Sequence, residues 1–177
     1  MRWIYRFWQF GNALWAKPQN EDYTLIRQLL TPELAQLFST LDRSEQAHAI
    51  RVCRKLLNDG ESDITLLTAA LLHDIGKTKY RLSLWERVWI VLFAWIEKRF
   101  GIKDVSHEDD LDQSTWWIRP LYVGRYHPRW GAELLRQFGV DEQVVWLVQH
   151  HQDGNTMDDT QPLVDWLRKL KQADQSS

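Results

Sequence analysis

The chain has 177 residues, of which 44% are hydrophobic and 26% charged, with a formal net charge of −2. That length suits one domain with a core of its own, and the single cysteine, Cys53, excludes an internal disulfide. The charge balance excludes the concentrated positive field that nucleic-acid binding needs, and the longest apolar run, residues 88–96, falls short of the roughly 20 residues of a membrane span.

Six aromatics crowd the start of the chain: Trp3, Tyr5, Phe7, Trp8, Phe10 and Trp15. At about 100° per residue, Trp3, Ile4, Phe7, Trp8, Phe10, Leu14 and Trp15 share one helical face, with Arg2, Arg6, Gln9 and Asn12 on the other. Such a face either docks on a bundle or lies on a membrane surface through residues 1–16. Docking is preferred, because two arginines supply little attraction to anionic lipid. Arg6 and Gln9 break any secretory apolar stretch, so a cytoplasmic location is expected. Residues 1–43 are read as this helix and its lead-in, packed on a helical domain spanning 44–177.

Further along, Ser44 can cap a helix over Glu45–Leu57 that stops at Asn58-Asp59-Gly60. Asp63 can cap Ile64–Ile75, with Gly76 as its stop. Leu84–Phe100 reads as another helix and Lys103–Ser114 as an acidic loop. Pro128 suits the first turn of a helix over Arg129–Phe138, closed by Gly139. Asp141 can cap Glu142–His151, and Pro162 opens Leu163–Ala173. No period-2 apolar alternation lasts long enough for a sheet, so the expectation is an all-α helical bundle.

Five of the six histidines fall at suggestive places in this scheme. His48 lies inside a capped helix, His73-Asp74 ends an apolar one, His127 precedes Pro128, and His150-His151 closes a fourth. His107 sits in the acidic loop and is read as solvated. Imidazole nitrogen and carboxylate oxygen together suit first-row divalent metals, and a carboxylate can bridge two cations through its two oxygens. An ionisable pair at the end of the apolar segment Leu66–Leu72 is expensive unless paired or metal-bound.

The ordered set His48, His73-Asp74 and Asp174 resembles the H…HD…D signature of the HD-domain superfamily of metal-dependent phosphohydrolases. His73-Asp74-Ile75-Gly76 is similar to its HDIG variant. His127, in His-Pro-Arg-Trp-Gly-Ala-Glu-Leu-Leu, and His150-His151 resemble the additional histidines of the binuclear members. The resemblance covers Ser44–Ser177 and implies a single-domain helical bundle of the HD type. It also implies two divalent transition-metal ions, drawn from Mn, Fe, Co, Ni and Zn. His48, His73, Asp74 and Asp174 would hold one ion. Asp74 would bridge to a second, held by His127, His150 and His151, unless one of the last two only orients its neighbour. Asp174 is preferred to Asp165, because the family's last ligand follows an alanine near the end of an apolar segment. Asp165 instead suits an exposed first-turn position.

The same resemblance implies hydrolysis of a phosphoester or phosphoanhydride in a nucleotide-like small molecule by a metal-bound hydroxide. Asp74 and Lys77 would be catalytic, Lys77 and Arg125 would meet substrate phosphate, and Arg119 and Arg51 are weaker phosphate candidates. The chain lacks the Gly-Tyr-Pro after His-His of the cyclic-di-GMP phosphodiesterases and the Glu-Asp of the guanosine tetraphosphate hydrolases. Its lysine after His-Asp and its single His-Pro helix are closer to the bacterial hydrolases of diadenosine tetraphosphate, from which the insert between Lys77 and His127 departs. The rival readings are a di-iron oxygenase on the same scaffold and a non-catalytic nucleotide sensor at the membrane.

Overall fold

In the computed structural model, which describes residues 20–79, 119–153 and 162–177, seven α-helices follow one another, with no strand among the described residues. They are α1 (Asn20–Leu29), α2 (Pro32–Phe38), α3 (Arg43–Asn58), α4 (Ile64–Leu72), α5 (Arg119–Gln137), α6 (Glu142–His150) and α7 (Pro162–Gln175). A 3-10 turn, Ile75–Lys79, follows α4. The all-α expectation holds. The tryptophan-rich first helix, the Leu84–Phe100 helix and the acidic loop with His107 lie outside the described residues. No helix among the described residues is long and apolar enough to cross a membrane.

The centre of the bundle is α4. Seven consecutive residues of it, Leu66 to Leu72, are buried, because ITLLTAALL offers no polar face to water. Helices α3, α6, α7 and α1 all pack against it. Each fully buried leucine there contributes roughly 1.5–3 kcal/mol of transfer free energy. The lead-in joins the same core: Ile26 of α1, Leu30 just after it, Leu34 and Phe38 of α2, and Leu41 are buried with it. Thr31 accepts from Leu34 N at 3.3 Å, and Pro32 starts α2 where no backbone donor is needed. Buried Asp22 ties α1 to α3 through Arg54 at 2.7 Å.

Local capping chemistry sets most helix ends. Asp63 accepts from Thr65 N at 2.8 Å, and Asp141 from Gln143 N at 2.7 Å. Gly60 and Gly139 take positive φ, 91° and 66°, as closing residues of α3 and α5. Three of the boundaries that differ from expectation have a local physical cause. The cap of α3 is Asp42, whose extended backbone offers its carbonyl to Gln46 N at 2.9 Å, so Ser44 sits within the first turn. Helix α4 stops at Leu72 rather than Ile75, because the chain tightens into the 3-10 turn after Asp74.

The third difference is at Pro128, which lies inside α5 rather than at its start. Proline removes the N–H that would bond the Gly124 carbonyl four residues back. The His127 ring supplies a substitute, with Nδ1 at 2.8 Å from the Val123 carbonyl and 3.1 Å from that of Gly124. The helix therefore continues through the proline. Its backbone also meets the 3-10 turn directly: a Cβ on Gly76 would lie 1.9 Å from the His127 carbonyl oxygen and 2.6 Å from Gly131 N. Only glycine allows that approach.

Candidate metal centre

Five elements converge on the end of α4. His48 comes from the middle of α3, His73 caps α4 and Asp74 follows it. His127 comes from α5, His151 caps α6, and Asp174 lies in the last turn of α7. Because α4 runs through the core, its end delivers ionisable groups into the interior. His73, Asp74, His127 and His151 are 1%, 3%, 1% and 3% exposed, a burial tolerable only if each is satisfied.

The carboxylate of Asp74 faces two ways. Its Oδ2 lies 3.3 Å from His73 Nε2, while its Oδ1 lies 3.1 Å from His127 Nε2 and 4.0 Å from His151 Nε2. Asp174 Oδ1 is 2.8 Å from His48 Nε2 and 3.6 Å from His73 Nε2. The donors form two groups able to hold a metal ion, His48–His73–Asp74 and Asp74–His127–His151, with Asp74 common to both.

The other ring nitrogens explain why the Nε2 atoms are presented. Nδ1 of His73 lies 2.8 Å from the Ala70 carbonyl, and Nδ1 of His151 lies 2.7 Å from that of Val148. His127 makes the equivalent bonds to Val123 and Gly124. A carbonyl only accepts, so each ring must carry its proton on Nδ1, leaving an Nε2 lone pair aimed inward. This is how metal-binding imidazoles are oriented. His127 Nε2 and His151 Nε2 then stand 3.3 Å apart with two lone pairs facing, an arrangement a cation between them relieves. His73 Nε2 is buried and hydrogen-bonded to nothing, despite the two carboxylates within ion-pair range. The residues present fit a metal.

The electrostatics agree. Burial acts to lower His73, but Asp74 and Asp174 raise it to about 10, so they favour a positive charge at Nε2, whether proton or metal. Burial acts to raise Asp174, but the hydrogen bond from His48 and the nearby His73 ring hold it well below the usual carboxylate range. Asp74 is likewise opposed by burial and held low by Lys77 and His73. His151 is pushed down to about 3 by burial and by the neighbouring His73.

Lys77 Nζ sits 2.7 Å from Asp74 Oδ2 and 3.1 Å from Glu45 Oε2. Burial opposes its charge, yet Asp74 and Glu45 together hold it above the usual lysine range. One residue expected near the metals lies apart from them. His150 belongs to neither group; its Nδ1 pairs with Asp153 and its ring packs on Trp146 with centroids 4.7 Å apart. Asp165 pairs with Arg168 and Lys169 on the outside of α7. Arg125 is exposed on α5 and Arg51 half-buried on α3. Sequence reasoning passed over Glu45 and also Gln152, whose amide nitrogen lies 3.4 Å from His127 Nε2. Glu45 stands three residues before His48, a helical spacing that puts both on one side of α3.

A family model described as HD domain matches residues 35–177. That span takes in α3 to α7, most of α2 and every residue of both donor groups. No curated protein and no solved structure matches the chain.

Proposed function

The chain belongs to the HD-domain family, and from that premise we propose that it hydrolyses a phosphoester or phosphoanhydride bond in a nucleotide-like small molecule, using two divalent transition-metal ions. The observation that carries the reading is the division of Asp74: one oxygen faces His73, the other faces His127 and His151. A carboxylate so shared suits a bridging role between two ions. His48, His73 and Asp174 complete one side and His127 and His151 the other, while His150, committed to Asp153, is not a ligand in this reading.

When bound, the ions supply Lewis acidity toward a phosphoryl group and make water a nucleophile near neutral pH. The chain's own residues do the rest. The backbone carbonyls of Ala70, Val123 and Val148 hold the three buried imidazoles in one tautomer, so their Nε2 atoms need no reorganisation. Lys77, the cation beside Asp74, is placed to meet charge developing on a phosphoryl oxygen. Arg125, exposed on α5 two residues before His127, is the second candidate for substrate phosphate in this reading. A reducing, cytoplasmic setting accords with the buried free thiol of Cys53.

The test is elemental analysis of the purified protein, followed by phosphate release from a nucleotide panel under air and under nitrogen. Release that needs metal and is indifferent to oxygen supports hydrolysis. Product formation only in air, with iron bound, would replace the reading with an oxygenase.

A further inference from the structure

We propose that Glu45 is a positioning residue that holds the Lys77 ammonium beside Asp74 with one N–H free for substrate; this rests on the phosphohydrolase reading above. An ammonium has three donors and no acceptor. Among the described residues two of them are engaged, by Asp74 Oδ2 at 2.7 Å and Glu45 Oε2 at 3.1 Å. Two fixed acceptors on different elements define the direction of the third N–H, as one acceptor cannot. Lysine otherwise sits on a four-carbon stem with much rotamer freedom to lose.

The two anchors come from distant parts of the chain. Asp74 and Lys77 share the turn after α4, where Lys77 N also bonds the Asp74 carbonyl at 2.9 Å. Glu45 comes from the first turn of α3, thirty-two positions earlier in sequence, and reaches across to that turn. Lys77 remains 28% exposed in its side chain, so the residue is held from the protein side without being fully enclosed. Asp74 Oδ2 is also the oxygen nearest His73 Nε2, which puts the gripped ammonium at the edge of the first donor group. Glu45 is absent from both donor groups and pairs with the Lys77 cation. Without Glu45, the ammonium would pivot about Asp74 alone and present its third donor in many directions.

The experiment compares the metal-loaded wild type with Glu45→Ala, Glu45→Gln, Lys77→Met and the Glu45→Ala/Lys77→Met double variant. Three quantities are read: metal per chain, kcat and KM on bis(4-nitrophenyl) phosphate, and the rate at which acetic anhydride acylates Lys77, followed by peptide mass spectrometry. Metal content should stay at the wild-type level in Glu45→Ala, while kcat falls about tenfold with little change in KM, the signature of lost alignment at one transition-state contact. Acylation of Lys77 should become several-fold faster. Glu45→Gln, which keeps an oxygen acceptor, should restore slow acylation and most of the rate. In the Lys77→Met background, Glu45→Ala should cost nothing further. Loss of metal in Glu45→Ala would make Glu45 a ligand instead and overturn the proposal, as would an undiminished penalty in the double variant or an unchanged acylation rate. Should the wild type hydrolyse no phosphate ester, the phosphohydrolase reading falls, and the acylation rates alone decide whether Glu45 holds Lys77.

Discussion

Gly76 and His127 are packed backbone against backbone: a methyl group on Gly76 would lie 1.9 Å from the His127 carbonyl oxygen. The contact joins the turn that carries Asp74 to the helix that carries His127, so it sets the spacing of the two donors, 3.1 Å between Asp74 Oδ1 and His127 Nε2. Gly76→Ala should force the turn off α5, lowering stability by about 3 kcal/mol or more, at the upper end of overpacking costs. Gly131→Ala meets the Gly76 nitrogen and the Val148 and Ile75 side chains at 3.2 Å or more and should cost much less, about 1 kcal/mol. Urea unfolding of the two variants in metal-free buffer ranks them, and equal midpoints would show that the turn yields freely.

Metal content is the most direct probe of the shared carboxylate. Protein purified without chelator should carry close to two ions per chain, with Asp74→Ala the most depleted variant because both groups lose a donor. Asp174→Asn should lose metal and Asp165→Asn, on the outer face of α7, should not. His151→Ala should be more depleted than His150→Ala, whose ring is committed to Asp153 and Trp146. Elemental analysis giving less than one ion after reconstitution would end the binuclear interpretation. A greater loss in His150→Ala would exchange the roles of the two histidines.

Lys77→Met removes the ammonium while keeping an unbranched stem of comparable length. Metal content should be preserved and turnover reduced by about 2–4 kcal/mol, or roughly a hundredfold or more, as for one lost charged contact to a transition state. Kinetics equal to wild type on a good substrate would return Lys77 to a purely structural pairing with Glu45.

Cys53 gives a prediction independent of the metals. Its thiol is fully buried, and burial pushes it up from 9.0 to about 12, with Arg54 acting weakly the other way. Below pH 9 both folded and unfolded chains keep the proton, whereas between pH 9 and 12 only the folded chain does. Stability must therefore fall as pH rises through that window, by an amount on the order of 4 kcal/mol across the full shift. Cys53→Ala removes the titration, so its stability should decline less between pH 9 and pH 11 than that of the wild type. Parallel declines would show that the thiol is reached by water in the native state.

The parts of this structure legible in the sequence are those decided within one turn. Asp63, Asp141, Gly60 and Gly139 act on neighbours two to five residues away, and each lies at a helix end as its type demands. Thr31-Pro32 carried an equally local start signal, but seven-residue α2 has too few apolar repeats to announce a helix. Pro128 misled because its missing hydrogen bond is replaced by a side chain, which no backbone rule anticipates. Donors found by residue type alone could not be sorted: His150 and His151 are adjacent, and only the capping turn of α6 sends one inward and the other toward Asp153. Glu45 was invisible because its partner is thirty-two positions away on another element.

The substitution of the His127 ring for a backbone donor at Pro128 makes one imidazole both a splint and a pincer. Its Nδ1 edge mends the helix, its Nε2 edge faces Asp74, and neither edge can be altered without the other. Asparagine or glutamine at 127 could patch the helix or reach the carboxylate, but neither presents the two functions on opposite ends of a rigid plane. Pro128 is bound into the same bargain: a residue there with its own N–H would compete for the Gly124 carbonyl and loosen the ring. Replacing either residue alone therefore weakens both the rod and its hold on the cargo.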